Sequence, residues 1–316
     1  MIIHIIGTVT GQVNEGMRNI ATHLAKEFET DNKVLYSGLK QIPKILINSK
    51  KADVTLIFAR ANKIVYELAK IVSMLCHNTW IVLVQKPDAD FINKNNNRPL
   101  KCNYLSITES DVEDVKIVDK YKKELFNVGI KSNKFLPVSS KRQEELKIKY
   151  GFDPHKLLVV HVGHCSKGRG LEDFLQITTA QRMIVASGMF EDQKVVELLN
   201  KSGVGLYTGY LENVEEIYQM ADAYLFPTKS TEFVISIPLS VMEALSAGVP
   251  VIGYKSFKNL TEISSKDGAI VLIEEANDID KVLPMIAKMK SEVSLLNNTD
   301  SWKVVASKVL DIIKEN

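Results

Sequence analysis

Apolar stretches alternate with stretches of helical periodicity along most of this 316-residue sequence. In the first half, the pattern predicts helices at residues 16–28 and 63–76, and strands at residues 2–6, 33–36, 54–58, 80–84 and 104–107. Parallel strands need a crossover between them, and that crossover is usually a helix. The alternation therefore predicts parallel α/β winding.

The same pattern restarts after a helix predicted at residues 141–150. It predicts helices at residues 193–201, 214–220 and 238–247, and strands at residues 157–162, 181–186, 205–207, 223–226, 249–253 and 270–272. A chain of this length exceeds what one hydrophobic core usually organises. We therefore predict two Rossmann-like, doubly wound domains, at residues 1–150 and 151–300, that face each other across a central cleft. Residues 301–316 are predicted to form a C-terminal helix that packs back toward the N-terminal domain.

The composition, 45% hydrophobic and 25% charged, is that of a soluble globular protein. No run approaches the roughly 18 apolar residues of a membrane span, and the apolar start of the chain lacks the basic residues of a signal peptide. We therefore expect a cytoplasmic protein. Cys76, Cys102 and Cys165 are odd in number and widely spaced, which predicts reduced, mostly buried thiols.

The two halves of the chain carry opposite charge. Residues 1–150 contain 24 Lys and Arg against 16 Asp and Glu, whereas residues 151–316 contain 16 against 22. A lysine-rich patch at residues 116–123, predicted to be helical, indicates peripheral contact with anionic lipid head groups, the alternative being a solvated helix face. No basic stripe is interleaved with aromatic residues, so a nucleic-acid partner is not expected.

A helix predicted at about residues 238–247 begins near a proline and ends before Gly248. Its first amides, at Leu239 and Ser240, form an anion site if they face the crevice at the edge of a parallel sheet. Glu243 lies one turn further along and can accept hydrogen bonds from sugar hydroxyls. Phosphate and ribose together indicate a nucleotide, whereas the alternative is a buried strand preceded by a solvated helix.

A glycine-containing loop at residues 163–170 follows the first predicted strand of the second domain. It places two cations, Lys167 and Arg169, between a strand and a helix, which suits a diphosphate; the alternative is an exposed loop. Both are predicted to be surface residues. His164 lies at the loop tip, where a bound anion would raise its pKa. His4 and His161 fall inside strands and are predicted to be buried and hydrogen-bonded.

These segments resemble the family 4 glycosyltransferases, retaining enzymes of the GT-B fold that use nucleotide-sugars. Residues 163–170 are similar to the family's Gly-Arg-Leu-x-x-x-Lys-Gly loop, with Arg169 at the lysine position and His164 in place of the arginine. Residues 129–137 resemble the Gly-Val-Asp-x-x-x-Phe-x-Pro linker of the family. Further similarity lies at residues 207–210, 221–228, the Glu243 helix and residues 301–302.

The resemblance implies roles for individual residues. Arg169 and Lys167 would stabilise negative charge on the leaving diphosphate, because electrostatics dominate such a transfer. The donor would be bound by Gly163, His164, Gly209, Tyr210, Leu211, Leu239, Ser240 and Glu243, and the acceptor would enter past Gly16, Arg18 and Gln85. Neither a metal nor a cofactor is expected, since these cations and helix dipoles replace the divalent ion in GT-B enzymes.

The sequence also departs from the family. Members carry two glutamates eight positions apart, and the position eight before Glu243 is Ile235. Glu232 can serve instead if its loop bulges, but the simpler interpretation is that the sugar-side carboxylate is absent. Gln85 stands near the position of a family histidine, and an amide cannot take up a proton.

The sequence therefore predicts a metal-independent hexosyltransferase. It would move a sugar from a nucleotide diphosphate sugar to a glycan, lipid-linked or protein-linked acceptor, for example in polysaccharide biosynthesis. Two alternatives remain open: a non-hydrolysing nucleotide-sugar epimerase on the same fold, and a non-catalytic relative that binds nucleotide-sugars or glycans.

Overall fold

The computed structural model describes residues 1–9, 16–131, 133–188, 191–264, 269–289 and 300–315. The chain divides into two compact units. The first unit contains Met1–Gly129, Ile235–Ile237 and Asp300–Asn316, and the second contains Ile130–Val234 and Pro238–Thr299. The division after Gly129 precedes the boundary expected near residue 150, and two short later segments group with the first unit.

Strands and helices alternate in both units. The strands are β1 (Ile2–Gly7), β2 (Lys33–Ser37), β3 (Val54–Phe58), β4 (Thr79–Leu83), β5 (Asn103–Ser106), β6 (Lys123–Leu125), β7 (Leu158–Gly163), β8 (Gln181–Ala186), β9 (Gly205–Thr208), β10 (Ala223–Phe226), β11 (Val251–Tyr254) and β12 (Ile270–Ile273). The helices are α1 (Gly16–Phe28), α2 (Ile42–Lys51), α3 (Lys63–Leu75), α4 (Ala89–Asn97), α5 (Ser140–Lys149), α6 (Gln193–Lys201), α7 (Glu215–Met220), α8 (Leu239–Ser246), α9 (Lys258–Ser264), α10 (Ile279–Met289) and α11 (Trp302–Lys314).

Each unit contains a six-stranded parallel sheet. The strand order is β2-β1-β3-β4-β5-β6 in the first unit and β12-β11-β10-β7-β8-β9 in the second. The central strands β3 and β4 are buried along their whole length, which is typical of a parallel sheet covered on both faces. The predicted fold class, two Rossmann-like doubly wound domains, is confirmed.

Two helices of the first unit are absent from the sequence prediction. The α2 sequence is short and has a proline in its first turn, and α4 ends in a run of three asparagines, which are weak helix formers. Both helices nevertheless form, because each buries apolar side chains, Ile45 and Phe91, against the core beside the sheet.

The lysine-rich patch at residues 116–123 is not helical, so that prediction was wrong. The Lys116 N–H donates to Asn96 Oδ1 at 2.8 Å, and the Lys122 N–H donates to Asn103 Oδ1 at 2.9 Å. Strand β6 begins at Lys123 and pairs with β5. Side-chain amides and a strand therefore take the backbone donors that a helix would use. No helix among the described residues is both long and apolar enough to cross a membrane.

Buried polar groups in the first sheet are hydrogen-bonded. His4 in β1 contacts Ser49 Oγ through Nδ1 at 3.0 Å and Ser37 Oγ through Nε2 at 2.9 Å. Burial, with a smaller contribution from Lys44, lowers the pKa of His4 to about 4, so the imidazole is neutral. The prediction for His4 is confirmed. The three cysteines are also free and buried, as predicted.

Asp222, just before β10, connects the sheet of the second unit to α5. Its Oδ2 accepts from Lys147 Nζ at 2.6 Å and from the Leu158 N–H at 2.8 Å, and its Oδ1 accepts from Gln143 Nε2 at 2.9 Å. Lys147 is buried, and this carboxylate balances its charge. Removing one member of such a buried pair commonly costs about 3–5 kcal/mol.

The segment Ile235–Ile237 completes the first unit. The Ser236 N–H donates to the Val84 carbonyl at 2.8 Å, and Ser236 Oγ hydrogen-bonds to Asp111 Oδ1 at 2.5 Å. Ile235 is 7% exposed, and a Cβ added at Gly16 would lie only 2.8 Å from Ile235 Cδ1. Ile235 therefore fills the space beside Gly16, and a larger residue at the start of α1 would overlap it.

We expect Gly16→Ala to lower the free energy of unfolding by about 1–3 kcal/mol, because the new methyl group would overlap Ile235. Combining it with Ile235→Val, which removes Cδ1, should restore most of that loss. Urea denaturation of both single variants and the double variant measures the coupling. Gly38→Ala serves as the control, since a Cβ there makes only ordinary contacts at 3.9 Å with Gln41. Strict additivity of the two changes would contradict the packing described here.

Candidate functional site

The loop between β7 and the 3₁₀ turn Leu171–Gln176 carries the predicted cations. Gly170 has a φ of +74°, a left-handed conformation that glycine adopts without strain. A Cβ at Gly170 would lie 2.4 Å from the Pro227 carbonyl oxygen, so the loop also approaches the end of β10 closely. The Thr228 hydroxyl donates to the Arg169 carbonyl at 3.3 Å. These contacts fix the backbone that carries Arg169.

Arg169 is only 6% exposed, so the prediction of a surface-loop residue was wrong. Its Nη2 lies 3.4 Å from the position of a Cβ added at Gly163, so the guanidinium occupies the space beside that glycine. Burial lowers the pKa of Arg169, although an arginine remains charged at neutral pH. Lys167, two residues earlier, is exposed as predicted.

His161 and Tyr224 lie beside this buried guanidinium. His161 Nδ1 is 3.0 Å from the Leu225 carbonyl oxygen, so Nδ1 carries the proton and Nε2 can accept. Burial, then the charge of Arg169, lowers the pKa of His161 to about 3, which keeps the imidazole neutral. The ring stacks on Tyr224 with centroids 5.7 Å apart. The prediction of a buried, hydrogen-bonded His161 is confirmed.

Tyr224 connects this group to the start of α8. Its hydroxyl hydrogen-bonds to Ser240 Oγ at 2.8 Å and to the Val162 carbonyl oxygen at 3.1 Å. Ser240 is in the first turn of α8, and Pro238 is the N-cap. We call Arg169, His161, Tyr224 and Ser240 the arginine cluster. It brings together a buried cation and a helix start whose amides favour anions.

Glu243 lies one turn further along α8 and is held by Tyr218. The Tyr218 hydroxyl donates to Glu243 Oε2 at 2.8 Å, and its ring centroid is 5.7 Å from that of Tyr224. Burial raises the pKa of Glu243 to about 7, against the opposing effects of the Tyr218 hydrogen bond and of Lys131 and Lys134. The carboxyl group therefore titrates near neutral pH.

The loops after β8 and β9 adjoin each other at the same edge of the sheet. The Gly209 N–H donates to the Ala186 carbonyl at 2.9 Å, and a Cβ at Gly188 would lie 3.2 Å from Gly209 Cα. His164 Nδ1 hydrogen-bonds to Ser187 Oγ at 2.5 Å. Tyr210, the next residue after Gly209, is 52% exposed. The backbone groups predicted to bind the nucleotide base, which begin at Gly209, therefore lie in a tight turn that requires glycine.

The remaining predicted residues have different surroundings. Leu239 is buried, and Leu211 packs in part against the core of the second unit. Glu232 is exposed on a 3₁₀ turn, Thr231–Phe233. Gly16, Arg18 and Gln85 belong to the first unit, at the start of α1 and after β4. In the described part of the chain, no group of three or more histidine, cysteine or acidic side chains could hold a metal ion.

Three residues of this region were not assigned a role from the sequence. His161, Tyr218 and Tyr224 surround the arginine and the glutamate, and all three are fully buried. Two large hydroxyl-bearing rings inside otherwise apolar segments are a sequence signal for buried hydrogen bonds. That signal does not identify their partners, because Tyr218 is 25 positions from Glu243 along the chain.

We expect Glu243→Gln to change how stability depends on pH. The pKa of Glu243 is about 7 in the folded chain against an ordinary value of 4.5, so the folded chain binds the extra proton and loses stability as pH rises between these values. Because glutamine does not titrate, the stability of the variant relative to wild type should rise by about 3 kcal/mol across that window. Thermal unfolding measured from acidic to mildly alkaline pH checks this. Glu197→Gln, exposed on α6, should show no such trend, and a flat difference for Glu243→Gln would contradict the assigned burial.

A comparison with protein families finds one match, and it lies mostly in the second unit. Residues 159–289, which include the arginine cluster and Glu243, match the family described as Glycosyl transferases group 1. A search of curated protein sequences finds no match.

Solved structures share the fold of the whole chain. Anabaena Alr3699/HepE, in complex with UDP-glucose, has a TM-score of 0.78 at 11% identity, covering 100% of both chains. A glycosyltransferase from Rickettsia africae ESF-5 has a TM-score of 0.73 at 14% identity, covering 99% of this chain and 98% of that one. WaaG, a glycosyltransferase involved in lipopolysaccharide biosynthesis, has a TM-score of 0.71 at 13% identity, covering 100% of both chains. The fold is thus that of the GT-B glycosyltransferases, and the match to the family described as Glycosyl transferases group 1 covers residues 159–289.

Proposed function

We propose that this chain is a retaining glycosyltransferase that moves a hexose from a nucleoside diphosphate sugar to a glycan, lipid-linked or protein-linked acceptor. One observation carries the proposal: the buried Arg169 lies beside Tyr224, which hydrogen-bonds to Ser240 in the first turn of α8, and Glu243 lies one turn further along. A buried cation beside a helix start is a site for an anion. A carboxylate one helical turn beyond that start suits the sugar of a nucleotide.

The main catalytic contribution of the protein would be to stabilise the charge on the leaving diphosphate. As the bond between the sugar and the phosphate oxygen breaks, negative charge grows on the phosphate and positive charge grows on the sugar ring. Arg169 and the amides at Leu239 and Ser240 would stabilise the phosphate charge. Lys167, which is exposed, would add a second positive charge. Because these groups are in place beforehand, little reorganisation is needed during the reaction.

The nucleoside would be held by two further contacts. Glu243, fixed by Tyr218, would accept hydrogen bonds from the ribose hydroxyls, and the backbone at Gly209, Tyr210 and Leu211 would bind the base. His164 and Gly163 would line the donor on the β7 side. HepE was crystallised with UDP-glucose, so a uridine nucleotide is the first donor to test.

Neither a metal nor a sugar-side carboxylate is needed in this scheme. Ile235 occupies the position of the family's first glutamate and is buried against Gly16, and Glu232 is exposed three residues earlier. Gln85 can orient an acceptor hydroxyl but cannot remove its proton. Gly16 and Arg18 would line the acceptor path with Gln85. We therefore expect catalysis to depend on phosphate stabilisation.

The burial of Ile235 also favours a second candidate function, a non-catalytic relative that binds nucleotide-sugars. Incubation with a panel of nucleoside diphosphate sugars separates the candidates, following release of free nucleotide with and without glycan and lipid-linked acceptors. Acceptor-dependent release supports transfer. Binding without turnover across the panel supports the second candidate, and interconversion of the sugar supports an epimerase.

We expect Arg169→Met to lower kcat about 100-fold or more, because one preorganised charge donor is commonly worth about 3 kcal/mol. Lys167→Ala should cause a smaller loss and leave the melting temperature unchanged, since that side chain is exposed. Lys201→Met, an exposed lysine on α6, is the control.

The burial of Arg169 makes a stability readout necessary. Circular dichroism and thermal unfolding of Arg169→Met show whether the variant is folded at the assay temperature. A folded Arg169→Met variant with wild-type kcat would overturn the assignment of the arginine to the diphosphate.

A further inference from the structure

Tyr218 is a core tyrosine whose hydroxyl group reaches a carboxyl group of the candidate site. It lies in α7, is 0% exposed, and packs edge-on against Phe135 with ring centroids 5.6 Å apart. A hydroxyl group in such apolar surroundings needs a hydrogen-bond partner, because leaving it unpaired costs free energy. The partner is Glu243 Oε2, at 2.8 Å. The tyrosine therefore fixes one oxygen of Glu243 from the core side.

The second oxygen of Glu243 is left for a ligand. Glu243 is half-buried, so part of its surface is accessible, whereas Tyr218 behind it is sealed in the core. Within the described part of the chain, the Tyr218 hydroxyl is the one hydrogen-bond donor to this carboxyl group. A carboxylate accepts hydrogen bonds through both of its oxygens. Oε1 can therefore accept from a bound molecule while Oε2 stays bonded to the tyrosine.

The nearby lysines do not fix Glu243 in place of the tyrosine. Lys131 and Lys134 lie near enough to favour the charged form of Glu243. Lys134 Nζ, however, pairs with Glu215 Oε2 at 2.9 Å and donates to the Glu212 carbonyl oxygen at 2.7 Å. Among the described residues, no salt bridge includes Glu243. The orientation of the carboxyl group therefore depends on the neutral tyrosine hydroxyl.

A second tyrosine holds the neighbouring polar residue of α8 in the same way. Ser240 and Glu243 are three residues apart, so they lie on one face of the helix. Tyr224 hydrogen-bonds to Ser240 Oγ at 2.8 Å, and its ring centroid is 5.7 Å from that of Tyr218. Two contacting tyrosines thus each hold one polar side chain of this face. The proposed phosphate and ribose contacts are both supported from the core.

We propose that Tyr218 is a positioning residue for the ribose of the donor. It holds Glu243 by Oε2 so that Oε1 accepts a hydrogen bond from a ribose hydroxyl, and the site consequently prefers ribonucleotides to deoxyribonucleotides. The inference rests on the proposed function, in which Glu243 contacts the ribose.

Loss of the tyrosine hydroxyl would weaken this contact in two ways. The carboxyl group would lose its fixed orientation. Burial raises the pKa of Glu243 and the hydrogen bond from Tyr218 opposes that effect, so removing the bond would also favour the neutral carboxyl group. A neutral acceptor forms a weaker hydrogen bond than a charged one.

The test compares the binding of UDP with that of 2′-deoxy-UDP and 3′-deoxy-UDP to the full chain, by isothermal titration calorimetry. The wild type should bind at least one deoxynucleotide about tenfold more weakly than UDP, because a hydroxyl that donates to a carboxylate is missing. In Tyr218→Phe this ratio should shrink to about threefold or less, through weaker binding of UDP. Partial unfolding would weaken all three nucleotides equally, so the ratio separates positioning from a merely structural role. GDP and ADP, with their deoxy forms, extend the comparison to other bases.

Two controls come from the same unit. Tyr150→Phe removes a tyrosine hydroxyl that donates to Glu216 Oε2 of α7 at 2.7 Å, and it should keep the wild-type ratio. In a Glu243→Ala background, Tyr218→Phe should leave the ratio unchanged, because the tyrosine acts through the carboxyl group.

The outcomes distinguish this inference from the proposed function. A folded Tyr218→Phe variant that keeps the wild-type ratio would overturn the role of Tyr218 and leave sugar transfer standing. Equal binding of UDP and both deoxynucleotides by the wild type would also overturn the inference, since Glu243 would then not contact the ribose. A chain that binds none of the nucleoside diphosphates would contradict both. Acceptor-dependent release of nucleotide, measured separately, reports on transfer alone.

Discussion

The burial of the Arg169 guanidinium in the loop after β7 is the constraint on which the site in the second unit depends. Taking a cation out of water is costly unless hydrogen bonds and charge compensate for the loss. Around Arg169 the chain supplies the neutral imidazole of His161 and the hydroxyl group of Tyr224. In the proposed function, a bound diphosphate would bring negative charge to this buried guanidinium.

The parallel sheet of the second unit determines where the loops of the site lie. The carboxyl ends of parallel strands point to one edge of a sheet, so the loops after β7, β8, β9 and β10 lie together although they are far apart in sequence. Glycines in the loops after β7 and β8 allow other backbone segments to approach closely: a Cβ at Gly170 would lie 2.4 Å from the Pro227 carbonyl oxygen, and a Cβ at Gly188 would lie 3.2 Å from Gly209 Cα. The loops can then differ in chemistry while the strands that carry them stay the same.

Much of this arrangement could be predicted from the sequence, because alternation and helix signals depend on neighbouring residues. The helix around Glu243, with Pro238 before it and Gly248 after it, was placed within one residue at each end. Burial of Arg169 could not be predicted, since it depends on Gly163 and Tyr224, which come from other strands. The lysine-rich segment at residues 116–123 failed for a similar reason: its backbone donors bond to asparagines about twenty positions earlier in the chain.

The first unit is assembled from three separate stretches of chain, which affects how the protein forms. Its last stretch, in which α11 contacts α1 and the Trp302 ring stacks on His23 at 4.9 Å, is synthesised after the whole of the second unit. Residues 130–234 and 238–299 emerge earlier, so the second unit can be complete while the first still lacks its closing helix. Until that helix is made, the Trp302 ring cannot stack on His23, and α1 lacks its contacts with α11.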